Sequence, residues 1–236
     1  MPAQLSPRNL LLAMALLAGL GTTFGQAKTA GKRHLVEINT TAGRMVVELY
    51  NETPLHRDNF LKLVRQHFYD STLFHRVIPG FMIQGGDPDS RKAEDRAVPL
   101  GQGGPGYTVP AEINPELIHR KGALAAARLG DDVNPEKRSS GSQFYIVQGR
   151  TWRPTDLAQL EARINEDRPG SLAMHYTPDQ VQTYANLGGA PHLDGGYTIF
   201  GQVVSGMEAL DLIANQPCDN LDRPLADVRM WMRVLQ

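Results

Sequence analysis

The chain has 236 residues, of which 41% are hydrophobic and 21% charged, a balance suited to one good-sized soluble domain or two small ones. Its formal net charge of −1 gives no electrostatic case for binding nucleic acid or a membrane surface. The 23 glycines and 16 prolines imply many turns and favour an all-β or mixed fold over a helix bundle.

At the N-terminus, Arg8 precedes the apolar run Leu10–Leu20, which is too short to span a bilayer comfortably. Gly25 and Ala27 follow at the spacing of small residues that a signal peptidase accepts. Residues 1–27 therefore read as a secretory signal cleaved after Ala27, with 28–33 as a short linker and 34–236 as the folded domain. An uncleaved anchor or a buried helix is the competing reading. A signal implies export to the periplasm or cell envelope. Cys218 is the only cysteine, so no internal disulfide can form, and it lies too far along the chain for a lipoprotein anchor.

His34–Tyr50 reads as a β-hairpin: Val36 and Ile38 alternate with polar residues, Thr40–Gly43 turns, and Met45, Val47 and Leu49 alternate again. Thr53-Pro54 has the form of an N-cap followed by proline at the first helical position. Phe60, Leu61, Val64 and Phe68 then follow at helical spacing, opposite Arg57, Asp58, Lys62 and Arg65, with the helix ending near 67–70. Phe74–Ile78 and Met82–Gln84 are short strands around a Pro79-Gly80 turn. Ser90–Gly106 reads as a loop, Ala123–Ala127 and Phe144–Val147 as strands, and Asp131–Gly141 as a turn-rich loop between them. Arg150–Ala190 breaks the pattern. Leu157, Leu160 and Ile164 mark one short helix there, and Thr177-Pro178 starts another running through Tyr184. Neither could bury a core alone, so the stretch is an insertion rather than a domain. A strand at Thr198–Val204, a helix at Met207–Ala214 and a strand at Asp227–Val234 complete the chain.

Three motifs are set aside. Gly101–Gly106 (GQGGPG) lacks the Lys-Ser/Thr and the strand-to-helix frame of a phosphate loop. The seven histidines include no HxxxH or HExxH pair. Ser71, His75 and Asp87 lack the GxSxG elbow of a hydrolase. The run Phe74–Asp87 (FHRVIPGFMIQGGD) is more informative. Alternation puts Met82 and Gln84 on one face, and Arg76 can aim at it from the preceding strand. A guanidinium and an amide beside apolar side chains suit a substrate that is apolar on one side and amide-like on the other. An ordinary hairpin with a surface arginine fits the composition equally well.

This run resembles the signature of the cyclophilins, and Gly141–Val147 (GSQFYIV) and Leu193–Ile213 (LDGGYTIFGQVVSGMEALDLI) resemble two further segments of that family. The similarity extends over Leu35–Leu235 apart from the insertion at about 150–190. It implies a mainly β fold, a closed eight-stranded antiparallel β-barrel capped by two helices, and peptidyl-prolyl cis-trans isomerase activity. It also implies that Arg76 is catalytic and that His75, Phe81, Met82 and Leu193 line the proline pocket. By the same resemblance Gln84 holds the substrate backbone, Gln143 makes a further polar contact, and Ala127, with Arg128 next to it, lies on the strand edge that lines the groove. Tyr145 stands where many members carry Phe, His192 where some carry Trp, and Tyr197 where those same members carry His; all three positions belong to the pocket wall. His192 lacks the indole donor and area of Trp, which bears on inhibition by cyclosporin. No cofactor and no metal is implied. The implied partners are proline-containing unfolded or flexible polypeptides, with no nucleic acid, and the implied state is a monomer that assists the folding of exported proteins. A non-catalytic binding module on the same fold is the rival, and the intact Arg76, Phe81, Met82, Gln84 and Gln143 argue against it.

Overall fold

The structure is a computed structural model that describes residues 31–93, 95–96, 98–166 and 173–236. The N-terminal signal expected over 1–27 lies outside the described residues, as do residues 28–30 of the linker. Among the described residues no helix is long and apolar enough to cross a membrane.

The expected hairpin forms as β1 (Leu35–Thr40) and β2 (Gly43–Leu49). Val36, Ile38, Met45, Val47 and Leu49 all face inward and are fully buried, as the period-2 pattern requires. Next come β3 (Phe74–Ile78), β4 (Met82–Gly85), β6 (Ala123–Ala126), β8 (Phe144–Val147), β9 (Ile199–Ser205) and β10 (Met230–Val234). With the hairpin they make one strongly curled antiparallel sheet in the order β10-β1-β2-β9-β6-β8-β4-β3. Two short strands, β5 (Thr108–Val109) and β7 (Ser139–Ser140), pair separately. β7 falls inside the loop expected over Asp131–Gly141, and β5 lies just past the one expected over Ser90–Gly106; two residues are too few to show a period. Helix α1 (Pro54–Arg65) packs on β9 and β10, and α4 (Met207–Ala214) packs on β2, β3 and β4. Between sheet and helices lies the main core, including the edge-to-face aromatic pairs of Phe144 with Phe60, Tyr69 and Phe74.

The sheet does not close into the barrel that the family resemblance implied. β3 and β10 stand at opposite ends of the strand order and do not pair as strands. One bridge, Leu73 to Arg229, crosses the seam, with backbone bonds from Ser71 N and Phe74 N to Met230 O and Val228 O. Met230–Val234 is committed to β1, so it meets only the entry to β3. Further along β3, Val77 N donates to Asp222 O, in a loop rather than a strand.

Two helix ends also differ from the sequence reading. Thr53 occupies the N-cap of α1 but makes no side-chain cap bond. The Glu112 carboxylate instead accepts from Leu55 N at 3.0 Å and His56 N at 2.9 Å, and lies 2.7 Å from His56 Nδ1. A full negative charge on the exposed amides of a helix start serves better than a neutral hydroxyl. At the other end α1 stops at Arg65, short of 67–70. His67 adopts φ 56°, and Phe68 N and His67 N return to Leu63 O and Val64 O, a left-handed closure that cannot be propagated.

The insertion folds as α2 (Pro154–Glu166) and α3 (Pro178–Asn186). Thr177 caps α3 as expected, with Thr177 Oγ1 and Gln180 Oε1 each accepting from the other's backbone amide. Leu157, Leu160 and Tyr184 form a small buried cluster with Ile118 and Trp152 of the flanking chain. The return passes Gly189 at φ 156°, where a Cβ would collide with His119 O.

Candidate active site

Strand register decides which side chains meet. Arg76 on β3 stands opposite Gln84 on β4, Gln84 opposite Tyr145 on β8, and Tyr145 opposite Ala125 on β6. Directly opposed residues share a face, so one row of side chains crosses four strands. The next row along holds Ile78, Met82 and Val147. Between these strands, the turn at Pro79-Gly80 is closed by Phe81 N to Ile78 O and by Gly80 N to Gln148 Oε1 at 2.7 Å. Gln148 N and Gly149 N both donate to Phe81 O at 3.0 Å, which holds the backbone carrying the Phe81 ring in place.

On this face Met82, Ala125, Tyr145 and Ile199 make a second apolar cluster, with Phe81, Ala127, Leu193 and Tyr197 packed against it. The Phe81 ring lies 5.2 Å from His192, and Tyr145 meets Tyr197 edge-on at 5.8 Å. A polar margin borders the cluster. The Arg76 side chain is 44% exposed, and its Nε is 3.5 Å from Asp222 Oδ2. Gln84 Nε2 donates to Gln143 Oε1 at 3.1 Å, and Gln143 Nε2 to Gly103 O at 2.8 Å.

The glycine-rich loop is held by a carboxylate of its own chain. Buried Asp87 accepts from Gly101 N at 2.5 Å and, more weakly, from Gly103 N at 3.3 Å. A Cβ on Gly103 would collide with that carboxylate. Amides that could cradle a phosphate are thus occupied, and the loop serves to position Gln143. Among the described residues, no cluster of three His, Cys, Asp or Glu side chains could hold a metal ion.

A guanidinium and a carboxamide thus border an apolar cluster on the curled sheet. Residues 35–233 match the family model for the cyclophilin type peptidyl-prolyl cis-trans isomerases. The chain belongs to this family. A Staphylococcus haemolyticus relative named for the same activity is 33% identical over 197 residues, covering 82% of this chain and 86% of its own. A Streptococcus pyogenes relative, named as a bifunctional phosphatase and isomerase, is 37% identical over 199 residues, and this chain spans only 37% of its length. A cyclophilin-type isomerase of Cryptosporidium parvum superposes with a TM-score of 0.62 at 27% identity, covering 87% of this chain and 99% of that one. This cyclophilin is accordingly a peptidyl-prolyl cis-trans isomerase.

The remaining expected residues fall in three places. Arg128 lies in the groove wall, but its charge is engaged: Nε donates to Gly196 O at 2.7 Å, Nη1 pairs with Asp131 at 2.5 Å, and the guanidinium sits 4.5 Å above the Tyr197 ring. Ala127 turns its own backbone inward, accepting from Ser140 N and donating to Gln143 O. His192 is exposed at the rim, where desolvation and then the neighbouring His119 lower its pKa.

His75 lies on β3 beside Arg76, with Gly101 against its ring. It is buried against Gly101, neither ring nitrogen has a hydrogen-bond partner among the described residues, and it borders a cavity of about 150 Å³ with Arg96, Leu221 and Arg223. Burial is the main cause that lowers its pKa to about 4. Sequence reasoning missed Asp87 as the clasp of the glycine loop, Asp222 beside Arg76, and the pair His119 and Asp194 behind Tyr145. Asp87 and Asp194 lie inside the recognised segments, but each of these residues meets its partner across 14 to 146 positions of chain.

Proposed function

We propose that Arg76 catalyses rotation about X-Pro peptide bonds, with Phe81, Met82, Tyr145, His192, Leu193 and Tyr197 receiving the proline ring. In this reading Gln84, Gln143 and the Ala127–Arg128 edge hold the flanking backbone. His75 contributes as an uncharged support against Gly101. The observation that carries the reading is the single cross-sheet row Arg76, Gln84, Tyr145 above the apolar cluster. A Cryptosporidium parvum cyclophilin of similar fold, TM-score 0.61 at 27% identity, was crystallised in the presence of the dipeptide Ala-Pro, which supports an X-Pro ligand.

Resonance stiffens the C–N bond and sets a barrier of about 18–20 kcal/mol. Midway through rotation the nitrogen loses conjugation and carries a lone pair. A hydrogen bond from the Arg76 guanidinium to that nitrogen is stronger in the transition state than in the planar ground state, which is the condition for catalysis. Uncatalysed exchange takes about tens to hundreds of seconds. Millisecond turnover needs a barrier lower by roughly 5–7 kcal/mol at about 1.4 kcal/mol per decade. One charged hydrogen bond supplies about 1.5–3 kcal/mol, so the dry pocket and the anchored flanking backbone supply the rest. No covalent bond breaks, so no nucleophile is required.

The substrates in this proposal are unfolded or flexible segments of exported proteins, met in the periplasm or cell envelope by a monomer. An isomerase assay of wild type beside Arg76→Ala tests the site. Mass spectrometry of the chain recovered from cells tests export: a mature N-terminus after Ala27 is expected, and full-length chain in the cytosol overturns it.

A further inference from the structure

The insertion reaches the pocket through one buried carboxylate. Asp194 follows the pocket residue Leu193 and is 3% exposed. Its Oδ1 accepts from the backbone N–H of His119 at 2.8 Å and lies 2.7 Å from His119 Nδ1. Its Oδ2 accepts from Tyr176 Oη at 2.9 Å and Tyr184 Oη at 2.6 Å, both from the insertion. His119 is fully buried. With Nδ1 facing a carboxylate, that nitrogen carries the proton, and Nε2 is the acceptor for the Tyr145 hydroxyl at 2.9 Å. The Tyr145 ring is the wall of the proline pocket, and its extra hydroxyl ties that ring to His119.

The mechanical path is equally direct. The small core of the insertion seats on Ile118, the residue before His119. Arg120 and Arg150 each bridge to Gly189, Trp152 Nε1 donates to Gly189 O, and Tyr176 Oη, whose single proton goes to Asp194, also lies 3.1 Å from Pro191 O. Burial raises the pKa of the Tyr145 and Tyr184 phenols, keeping both as donors.

We propose that the insertion is the outer buttress of the proline pocket, with Tyr176 and Tyr184 acting through Asp194 and His119 as positioning residues for Tyr145. A locked ring keeps the pocket in the shape that the rotating bond requires, which is preorganisation by supporting hydrogen bonds. The inference rests on the pocket assignment above.

The test uses the full chain carrying Tyr176→Phe/Tyr184→Phe, which keeps both rings and removes only the hydroxyls. The expected result is a loss of about 3- to 10-fold in kcat/KM on an X-Pro peptide, carried mainly by kcat. Tyr145→Phe is expected to lose a similar factor, and the triple variant no more than the worse of the two, since all three hydroxyls serve one relay. Ring-labelled tyrosine NMR supplies a readout independent of turnover: ring flipping of Tyr145 accelerates in the double variant. If that variant fails to fold, Tyr176→Phe alone carries the same two measurements. Unchanged kcat/KM, an unchanged flip rate, or losses that multiply in the triple variant each overturn the proposal. Failure of the pocket assignment reads differently: Arg76→Ala then keeps full activity, while the flip rate still decides the relay.

Discussion

Replacing Arg76 separates catalysis from stability, because its side chain is half exposed and meets Asp222 only at 3.5 Å. A surface pair of that kind contributes about 0–1 kcal/mol, so Arg76→Ala is expected to lower Tm by no more than about 4 °C in a domain of this size. Its effect on rotation is far larger. Loss of a charged hydrogen bond made in the transition state, about 1.5–3 kcal/mol, corresponds to a fall of roughly 10- to 150-fold in kcat/KM. Asp222→Asn keeps the guanidinium and is expected to change kcat/KM by less than about threefold. The measurement is exchange of an X-Pro peptide, followed by coupled proteolysis or NMR, with circular dichroism to establish folding. A folded Arg76→Ala protein with the wild-type rate refutes the assignment of Arg76 and the transition-state argument with it.

Further expectations follow from individual contacts. Glu112→Ala strips the charged acceptor from the start of α1 and is expected to cost about 2 kcal/mol in denaturant unfolding, with kcat/KM of the folded fraction unchanged; an unaltered midpoint refutes that capping role. Gly103→Ala forces the loop off Asp87 and withdraws the carbonyl that orients Gln143, so KM should rise while Arg76 stays in place; an unchanged KM speaks against it. His75 sets a pH dependence. Its folded-state pKa, about 4, lies below the ordinary 6.5, so the unfolded chain takes up the proton first as pH falls. Stability is therefore full above about pH 6.5, declines toward pH 4 and levels off below, a loss of about 3 kcal/mol. His75→Met removes a ring with two unpartnered nitrogens, so its stability should fall less than that of wild type between pH 7 and 4.5. Parallel losses in the two proteins would show that other groups dominate.

Much of the architecture was legible because it depends on local periodicity. Val36, Ile38, Met45, Val47 and Leu49 alternate and are buried on the core side of the sheet, and Thr177 announces α3 through a box that closes within four residues. The site run was legible for the same reason: Arg76, Met82 and Gln84 lie within nine positions around one tight turn, so strand alternation nearly suffices to face them together. The start of α1 was misread because Thr53 is adjacent in sequence, whereas the carboxylate that caps it arrives from Glu112. Barrel closure was misjudged because a seam depends on where two distant strands diverge, and Met230–Val234 is held by β1.

The family, the row of pocket side chains and the existence of a helical insertion were all written in the order of residues along the chain. The hairpin that carries Arg76, Met82 and Gln84 and the capped helix of the insertion are encoded at short range, where a residue's neighbours in sequence are also its neighbours in space; Tyr145 joins the row only through strand pairing. Three other features emerged only with the folded backbone: the sheet stays open, the glycine loop packs on His75, and the insertion is linked to Tyr145 through Asp194 and His119. Each of those depends on partners far apart in the chain, such as Tyr184, Asp194, His119 and Tyr145. Hydrogen bonding between them requires the backbone to be folded first, and no spacing rule along the sequence records it.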